Sequence, residues 1–232
     1  MSTELFVAER FDALEGRFKD TVSPADVRLT AINRLVGPLA GKRVLDLGCG
    51  KGRFARHWIA AGASVIGLDI SRAMLGQAQP FPRVRASVAH LPFANGQFDV
   101  VTAIEVLEHV QQSQLSRILA EAQRVLTPGG TLAIIDKNAT ALDANRPWLP
   151  ASVVKRADEL RGRWMYRPGE PFREHWFVPS TLHRQLRREF GNAGCSYLLR
   201  PEEEPRLVFR RVPRSRLWTM WHACKLEGRQ LA

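Results

Sequence analysis

Apolar residues along the chain form short continuous runs that are separated by segments with helical spacing. The runs predict strands near residues 43–47, 64–69, 84–88, 98–103 and 131–136, and the segments between them predict helices. Continuous apolar runs are typical of strands that are covered on both faces. Regular alternation of strand and helix therefore predicts an α/β fold with a parallel sheet.

Both ends of the chain carry further predicted elements. Residues 5–18 and 26–35 have helical spacing of apolar positions, which predicts a helical cap within residues 1–40. Residues 179–190 predict another helix. After it, residues 196–200 and 206–212 predict two strands of an antiparallel hairpin, and residues 214–226 predict a short amphipathic helix.

The first predicted strand runs into a turn that is rich in glycine. Asp46 is followed by Gly48, Gly50 and Gly52, a spacing that suits a tight turn where the backbone approaches a ligand closely. Residues 50–55 also match the G-x-G-x-x-G/A pattern of dinucleotide-binding proteins. A carboxylate at position 46, however, would repel a pyrophosphate and could accept from a cationic amino-acid group. No Lys-Ser/Thr pair follows, so the turn is not a P-loop.

The second predicted strand ends at Asp69, 19 positions after Gly50. This is about the interval at which nucleotide-binding α/β folds place the acidic residue that binds a ribose. The alternative is that Asp69 caps a helix that begins at Ser71, since Asp often has that role. The two roles are compatible.

Four blocks of sequence, residues 44–52, 67–71, 91–101 and 124–132, together resemble the class I S-adenosylmethionine-dependent methyltransferases. They occur in that family's order and spacing over roughly residues 40–136. The resemblance implies a Rossmann-like seven-stranded sheet, mostly parallel with a C-terminal antiparallel hairpin and with helices on both faces. It also implies S-adenosyl-L-methionine as the cofactor. We expect residues 1–232 to form a single domain.

By this resemblance, Asp46 and the backbone around Gly48 and Gly50 hold the methionine part of the cofactor. Asp69 binds the ribose and Ile70 packs on the adenine. Many relatives contact the adenine amino group with an Asp four residues before the Leu-Pro-Phe block, but this chain has Ser87 there. The residues expected to bind the cofactor are Asp46, Gly48, Cys49, Gly50, Asp69, Ile70, Ser87, Val88, Ala89, Ile104 and Glu105.

Residues 104–110 look most like the corresponding segment of the ubiquinone-biosynthesis O-methyltransferases, in which a Glu-x-x-Glu-His cluster is associated with a divalent cation. Carried over, the ligands would be Glu105, Glu108 and His109. The same Leu-Glu-His sequence is widespread among metal-free members of the fold, so we predict no metal. His109 then lines the substrate mouth or caps the next helix.

The methyl group of a sulfonium cofactor is already electrophilic, so the protein needs to align the acceptor and exclude water. A hydroxyl acceptor would also need a base, and the candidate catalytic residues are His109, His175 and His90, because His titrates near neutral pH. Residues 138–178, with three of the six tryptophans, follow the fifth strand, where this fold usually builds its substrate pocket. We interpret them as a substrate lid that follows the cofactor-binding core of residues 41–137; the alternative is a packing loop that covers the sheet edge.

Charge is spread unevenly along the chain. The formal net charge is +11, and residues 1–139 carry 16 Lys and Arg against 13 acids, whereas residues 140–232 carry 18 against 10. Residues 206–221 combine basic and aromatic side chains, which would allow peripheral contact with an anionic membrane. A surplus of arginine also results from GC-rich coding sequence. No recognised nucleic-acid-binding module is present, so a nucleic-acid partner is the weaker interpretation.

No apolar stretch approaches the ~20 residues that span a bilayer, and the sequence begins without a secretory pattern, so we expect a cytoplasmic protein. The favoured function is methyl transfer to a small-molecule acceptor, a hydroxylated or lipophilic metabolite. Two alternatives stay open. One is a methyltransferase that acts on nucleic acid or protein, and the other is a non-catalytic cofactor-binding protein.

Overall fold

The computed structural model describes residues 2–77 and 81–226, and within these ranges seven strands form one sheet. The strands are β1 (Arg43–Leu47), β2 (Ser64–Asp69), β3 (Arg83–Arg85), β4 (Phe98–Ile104), β5 (Leu126–Lys137), β6 (Gly194–Leu198) and β7 (Trp218–Cys224). Their spatial order is β3-β2-β1-β4-β5-β7-β6. The first five strands pair in parallel, and β7 is antiparallel to both of its neighbours. The predicted Rossmann-like fold is confirmed.

Eight α-helices accompany the strands in the described ranges. They are α1 (Thr3–Ala13), α2 (Val27–Val36), α3 (Ala55–Ala60), α4 (Arg72–Gln77), α5 (Leu115–Val125), α6 (Ala151–Leu160), α7 (Pro179–Phe190) and α8 (Leu207–Arg211). Polar side chains start the first two helices: the Ser2 hydroxyl accepts from the Leu5 amide at 3.3 Å, and the Asp26 carboxylate accepts from the Arg28 amide at 2.9 Å. No helix in the described ranges has the length and apolar content needed to cross a bilayer.

The sheet separates two hydrophobic clusters because successive side chains on a strand point to opposite faces. Leu45 of β1 packs in a cluster with α5 and α7, and Val44 packs in a second cluster with α2 and α3. The pattern repeats in β7, where Trp221 belongs to the first cluster and Met220 to the second. Helices therefore cover both faces of the sheet, as the apolar runs predict.

The third strand is shorter than predicted. The sequence predicts residues 84–88, but β3 comprises Arg83–Arg85 alone. Residues 87–90 instead form a turn, in which the Ala89 amide donates to the Ser87 hydroxyl at 3.1 Å and the His90 amide donates to the Ser87 carbonyl at 3.1 Å. A hydroxyl that bonds the backbone two residues later favours a turn over an extended strand.

The last strand lies elsewhere than predicted. Residues 206–212 contain the short helix α8 rather than a strand, and residues 214–226, predicted as an amphipathic helix, contain β7. β7 pairs with β5 and β6 along its two edges, and its residues Trp221 and Met220 are buried in the clusters on opposite faces of the sheet. A strand that is covered on both faces lacks the alternation by which a half-buried strand is recognised.

The insertion of residues 138–178 returns to the sheet at the point where it leaves. Asn138 and Phe177 form an isolated parallel bridge. The Phe177 amide donates to the Lys137 carbonyl at 3.0 Å, and the Ala139 amide donates to the Phe177 carbonyl at 2.9 Å. The insertion is thus a closed loop that carries α6 and begins at the carboxyl end of β5.

Candidate active site

A cavity of about 420 Å³ lies at the carboxyl ends of the parallel strands. One wall is the glycine-rich turn after β1 together with the end of β2. The opposite wall comes from α1, with Val7 and Phe11, and from the insertion, with Trp164 and Met165. Open α/β sheets bind ligands at this edge. The cavity therefore lies where the sequence predicts the cofactor.

The turn after β1 depends on backbone conformations that favour glycine. Gly48, Gly50 and Gly52 have φ angles of +62°, +54° and +76°. A Cβ atom on Gly48 would overlap the side chain of Val106, whereas one on Gly50 would meet no atom within 4 Å. Position 48 thus favours glycine because of its positive φ and because a Cβ atom would not fit there. Position 50 favours glycine because of its positive φ alone.

Asp46 lies at the base of the cavity with only 2% of its surface exposed. Its carboxyl accepts a hydrogen bond from the Thr102 hydroxyl at 2.9 Å. Burial raises the pKa of Asp46 to about 7, although the bond from Thr102 opposes the rise; the negative charge of Asp69 adds to it. A cationic group in the cavity would restore the charged form of Asp46, as expected for a residue that receives an amino-acid ammonium.

Asp69 accepts two backbone hydrogen bonds, from the Gly50 amide at 2.8 Å and from the Ser71 amide at 2.9 Å. It therefore caps the start of the segment that leads into α4, which is the alternative role that the sequence suggests. The same carboxylate lines the cavity. Burial raises its pKa, although the two amides oppose the rise. Ribose binding by Asp69 stays a prediction.

Most of the other predicted cofactor residues also line this cavity: Cys49, Ile70, Ser87, Val88, Ile104 and Glu105. Ala89 is the exception: it does not line the cavity, and it is buried with its amide donating to the Ser87 hydroxyl. The Cys49 side chain packs beside Gly67. Burial raises the pKa of the Cys49 thiol far above its usual range, so its role is packing rather than nucleophilic chemistry.

Glu105 has a φ of +57°, which is unusual for a residue with a side chain. Its carboxylate forms ion pairs with Arg28 and, at 3.1 Å, with Arg53. Burial raises the pKa of Glu105, but the charges of Lys137, Arg28 and Arg53 outweigh it and lower the pKa. Glu105 is therefore an ionised residue that is held by arginines, and it is not among the residues whose ligand atoms lie close enough to share a metal ion.

Glu108, His109 and Glu174 bring their ligand atoms within 4.8 Å of one another. Glu174, from the insertion, takes the place that the sequence assigns to Glu105. The ammonium of Lys137 forms ion pairs with Glu108 and, at 3.3 Å, with Glu174. A divalent cation does not fit this arrangement, because the ammonium already bonds both carboxylates and would have to leave.

The charges of this cluster reinforce one another. Burial lowers the pKa of Lys137, but the carboxylates of Glu108, Glu174 and Glu105 raise it above its usual range. Burial raises the pKa of Glu174, but Lys137 and His109 lower it to about 2. Glu174 also accepts hydrogen bonds from the indole of Trp164 at 3.0 Å and from that of Trp176 at 2.7 Å.

The three candidate histidines lie in different surroundings. His109 lines the cavity, with Nε2 at 3.4 Å from Glu108 Oε1 and Nδ1 at 3.2 Å from the Tyr166 hydroxyl. His175 lies outside the cavity lining and donates its backbone amide to the Glu108 carbonyl at 3.2 Å. Burial lowers the pKa of His175. His90 is exposed and also lies outside the lining.

Among the cavity residues that were not singled out from the sequence are Glu4, Lys137 and Glu174. Lys137 ends β5, so its place at the carboxyl end of a strand could have marked it as a candidate. The other two come from the helical cap and the insertion. Their positions depend on how these segments fold over the sheet, and no spacing in the sequence indicates it.

Residues 45–134 match the methyltransferase domain family. The chain is 39% identical over 133 residues to an uncharacterized methyltransferase of Synechocystis sp., an alignment that covers 53% of this chain and 59% of that relative. It is 35% identical over 156 residues to the ubiquinone biosynthesis O-methyltransferase of Escherichia coli O157:H7, covering 63% and 62%. The chain thus spans about three fifths of the length of the curated relatives it matches.

A solved S-adenosylmethionine-dependent methyltransferase from Mesorhizobium loti shares the fold, with a TM-score of 0.64 and 21% identity over 87% of this chain and 99% of that one. At this identity the likeness concerns the fold. The matched domain contains the glycine-rich turn, Asp46 and Asp69, and the order of the strands agrees with this fold. Residues 45–134 thus belong to the methyltransferase domain family, and the chain has the fold of S-adenosylmethionine-dependent methyltransferases.

Proposed function

We propose that the protein transfers the methyl group of S-adenosylmethionine to a small-molecule acceptor, a hydroxylated or lipophilic metabolite. The observation that carries this proposal is the composition of the single cavity described above. Asp46 and Asp69 line one part of it, and His109 and the aromatic residues of α1 and the insertion line another. Cofactor and acceptor could therefore meet inside one space.

The size and lining of the cavity support a small acceptor. A volume of about 420 Å³ lies in the range of about 300–1,000 Å³ that is usual for small-ligand sites. Phe11, Phe18, Trp164 and Met165 supply apolar surface on the side away from the glycine-rich turn. A polymer would need an open groove, so these walls favour a lipophilic metabolite over nucleic acid or protein.

The environment of His109 supports transfer to a hydroxyl oxygen. With Nε2–H directed to the Glu108 carboxylate, Nδ1 is the basic nitrogen, and here it faces the hydroxyl of Tyr166. An acceptor hydroxyl that took the place of Tyr166 would give its proton to Nδ1 as its oxygen bonds to the sulfonium methyl carbon, while the bond from that carbon to sulfur breaks and S-adenosylhomocysteine leaves. Glu108 would then stabilise the charged imidazolium. The relatives named ubiquinone biosynthesis O-methyltransferase agree with this chemistry.

The test has two stages, because binding and turnover are separable. Calorimetry with S-adenosylhomocysteine should show binding to the wild type that weakens at least about tenfold in Asp69→Asn, since a charged acceptor of hydrogen bonds is lost. Release of S-adenosylhomocysteine is then measured with a panel of lipophilic catechols and phenols and a matched panel of amines. Turnover with the hydroxylated panel is expected.

Two of the candidate histidines provide the comparison for turnover. His109→Ala should lower kcat by about 10²–10⁴-fold and leave cofactor affinity unchanged. His90→Ala should leave kcat unchanged, because His90 is exposed and outside the cavity lining. Absence of cofactor binding by the wild type would refute the methyltransferase proposal. Turnover restricted to the amine panel would refute transfer to oxygen.

Contact with an anionic membrane stays a separate proposal. The structure places Trp221 in the core, so this residue is not available to lipid. The exposed side chains near it in sequence are Leu207 and Val212, with Arg210 and Arg211 beside them. Co-sedimentation with phosphatidylglycerol vesicles, and none with phosphatidylcholine vesicles, is the result expected. Binding to neither kind of vesicle, or equal binding to both, would contradict this proposal.

A further inference from the structure

The carboxylate of Glu4 lies at the part of the cavity wall where the sequence predicts the adenine. Glu4 Oε1 accepts a hydrogen bond from the Ser87 hydroxyl at 2.7 Å and from the Gln114 side-chain amide at 2.8 Å. Glu4, Ser87 and Gln114 all line the cavity. Ser87 stands where many relatives have the Asp that contacts the adenine amino group. A carboxylate is thus present at this position, but it comes from α1.

The surroundings of Glu4 suit a flat, mostly apolar base with one polar edge. Ile70, Met74 and Val88 line the cavity in the same region, beyond the carboxylate of Asp69. Adenine would be covered by such side chains, and its exocyclic amine, a donor of two hydrogen bonds, would need an acceptor. A carboxylate is the stronger acceptor for that amine, because hydrogen bonds to charged groups stabilise more than neutral ones.

The Ser87 hydroxyl donates its one hydrogen to Glu4 and accepts from the Ala89 amide at 3.1 Å, which leaves it a single neutral acceptor lone pair. Ser87 therefore orients Glu4, whose carboxylate is the stronger acceptor. We propose that Glu4 accepts a hydrogen bond from the exocyclic amine of the cofactor's adenine and so determines the preference for an adenine nucleoside. This inference rests on the proposed function, because it concerns the same cofactor.

The position of Glu4 on α1 gives the contact a second consequence. Farther along α1, the Asp12 carboxylate accepts from the Ala73 amide at 2.9 Å, and the Phe11 ring lies edge-on to His109 with ring centroids 5.0 Å apart. The helix α1, which carries Glu4, thus also forms a wall of the space beside His109. An adenine that is bound to Glu4 would therefore add a contact that holds α1 beside the acceptor space.

The experiment compares S-adenosylhomocysteine with S-inosylhomocysteine, in which a carbonyl replaces the exocyclic amine. Wild type is expected to bind the adenine compound at least about tenfold more tightly, and Glu4→Ala should reduce this preference to about threefold or less. Glu9→Gln is the matched control, because Glu9 is exposed on the same helix. It should keep the wild-type preference. Affinities are measured by calorimetry.

A rescue variant separates recognition from folding. Glu4→Ala combined with Ser87→Asp returns the carboxylate to the position used by many relatives, and it should restore most of the preference. Circular dichroism and thermal unfolding confirm that each variant is folded. If wild type and Glu4→Ala have the same preference for S-adenosylhomocysteine over S-inosylhomocysteine, Glu4 does not bind the exocyclic amine. If wild type binds neither compound, the proposed function fails as well, and the two failures are therefore distinguishable.

Discussion

Lys137 at the end of β5 and Glu174 in the insertion form an ion pair of 3.3 Å, which joins the sheet to the segment that covers the cavity. Lys137 also pairs with Glu108, whose side chain is only 1% exposed. The ammonium therefore balances two buried carboxylates that come from separate parts of the chain. This balance makes Lys137 important for stability and for the choice of ligand at the site.

The first prediction concerns the free energy of unfolding. Lys137→Met should lower it by about 3–5 kcal/mol, because loss of one partner leaves a buried charge without compensation. Adding Glu108→Gln should recover a large part of the loss, since the uncompensated carboxylate is then removed. Urea unfolding of the wild type, both single variants and the double variant gives the coupling energy. Strictly additive effects would contradict the assigned ion pair.

The second prediction concerns divalent cations. In Lys137→Ala the ligand atoms of Glu108, His109 and Glu174 stay close together and lose their ammonium partner. We expect Mn²⁺, followed by electron paramagnetic resonance, to bind this variant at least about tenfold more tightly than the wild type, because carboxylate and imidazole ligands suit such ions. The double variant Lys137→Ala with Glu174→Gln should not show this increase in Mn²⁺ affinity. Tight binding of Mn²⁺ to the wild type would contradict this prediction, because it would show that a metal ion displaces the Lys137 ammonium.

The third prediction concerns the pH dependence of cofactor binding. Burial raises the pKa of Asp46 to about 7, so most of this carboxyl is protonated at pH 6 and ionised at pH 8. If only the ionised form receives the ammonium of the cofactor, affinity for S-adenosylhomocysteine should rise about tenfold over this interval. Asp46→Asn should bind weakly and lose this rise. Asp99→Asn is the control, because Asp99 pairs with Arg43 on the surface.

Asp46 also affects the free energy of unfolding, and this effect changes with pH in the direction opposite to that of cofactor affinity. Between pH 4 and pH 7 the folded protein keeps a proton on Asp46 that the unfolded chain has lost. The contribution of Asp46 to the free energy of unfolding therefore decreases as the pH rises through this interval and levels off above it. Unfolding of the cofactor-free protein at several pH values, with Asp46→Asn as reference, measures this contribution. An increase with pH that is specific to Asp46 would contradict the raised pKa.

The fourth prediction uses two glycines with similar backbone conformation. Gly50→Ala should cost about 1–2 kcal/mol of stability, because only the positive φ is unfavourable. Gly48→Ala should cost about 1–3 kcal/mol more, because its Cβ overlaps Val106. Gly48→Ala combined with Val106→Ala should remove most of the extra loss in thermal or urea unfolding. Equal losses for the two single variants would refute the steric difference.

Local patterns in the sequence determined most of the sheet. The first, second and fourth strands lie where their apolar runs predict them, and α7 has the predicted bounds. β5 contains its predicted run but begins earlier, at Leu126. The turn after β1 and the acidic residue that ends β2 were also predictable, because each depends on residues close together in the sequence. Backbone conformation and the direction of successive side chains are local properties.

The tertiary structure decided what depends on distant partners. The residues of β7 became a strand because β5 and β6 lie on either side of it, and no local feature distinguishes such a segment from a buried helix. Glu4 and Ser87 are 83 positions apart, and Lys137 and Glu174 are 37 apart. Their contacts form only when the helical cap and the insertion fold over the sheet. The sequence by itself thus determined the cofactor edge of the cavity, and packing of distant segments decided its opposite wall.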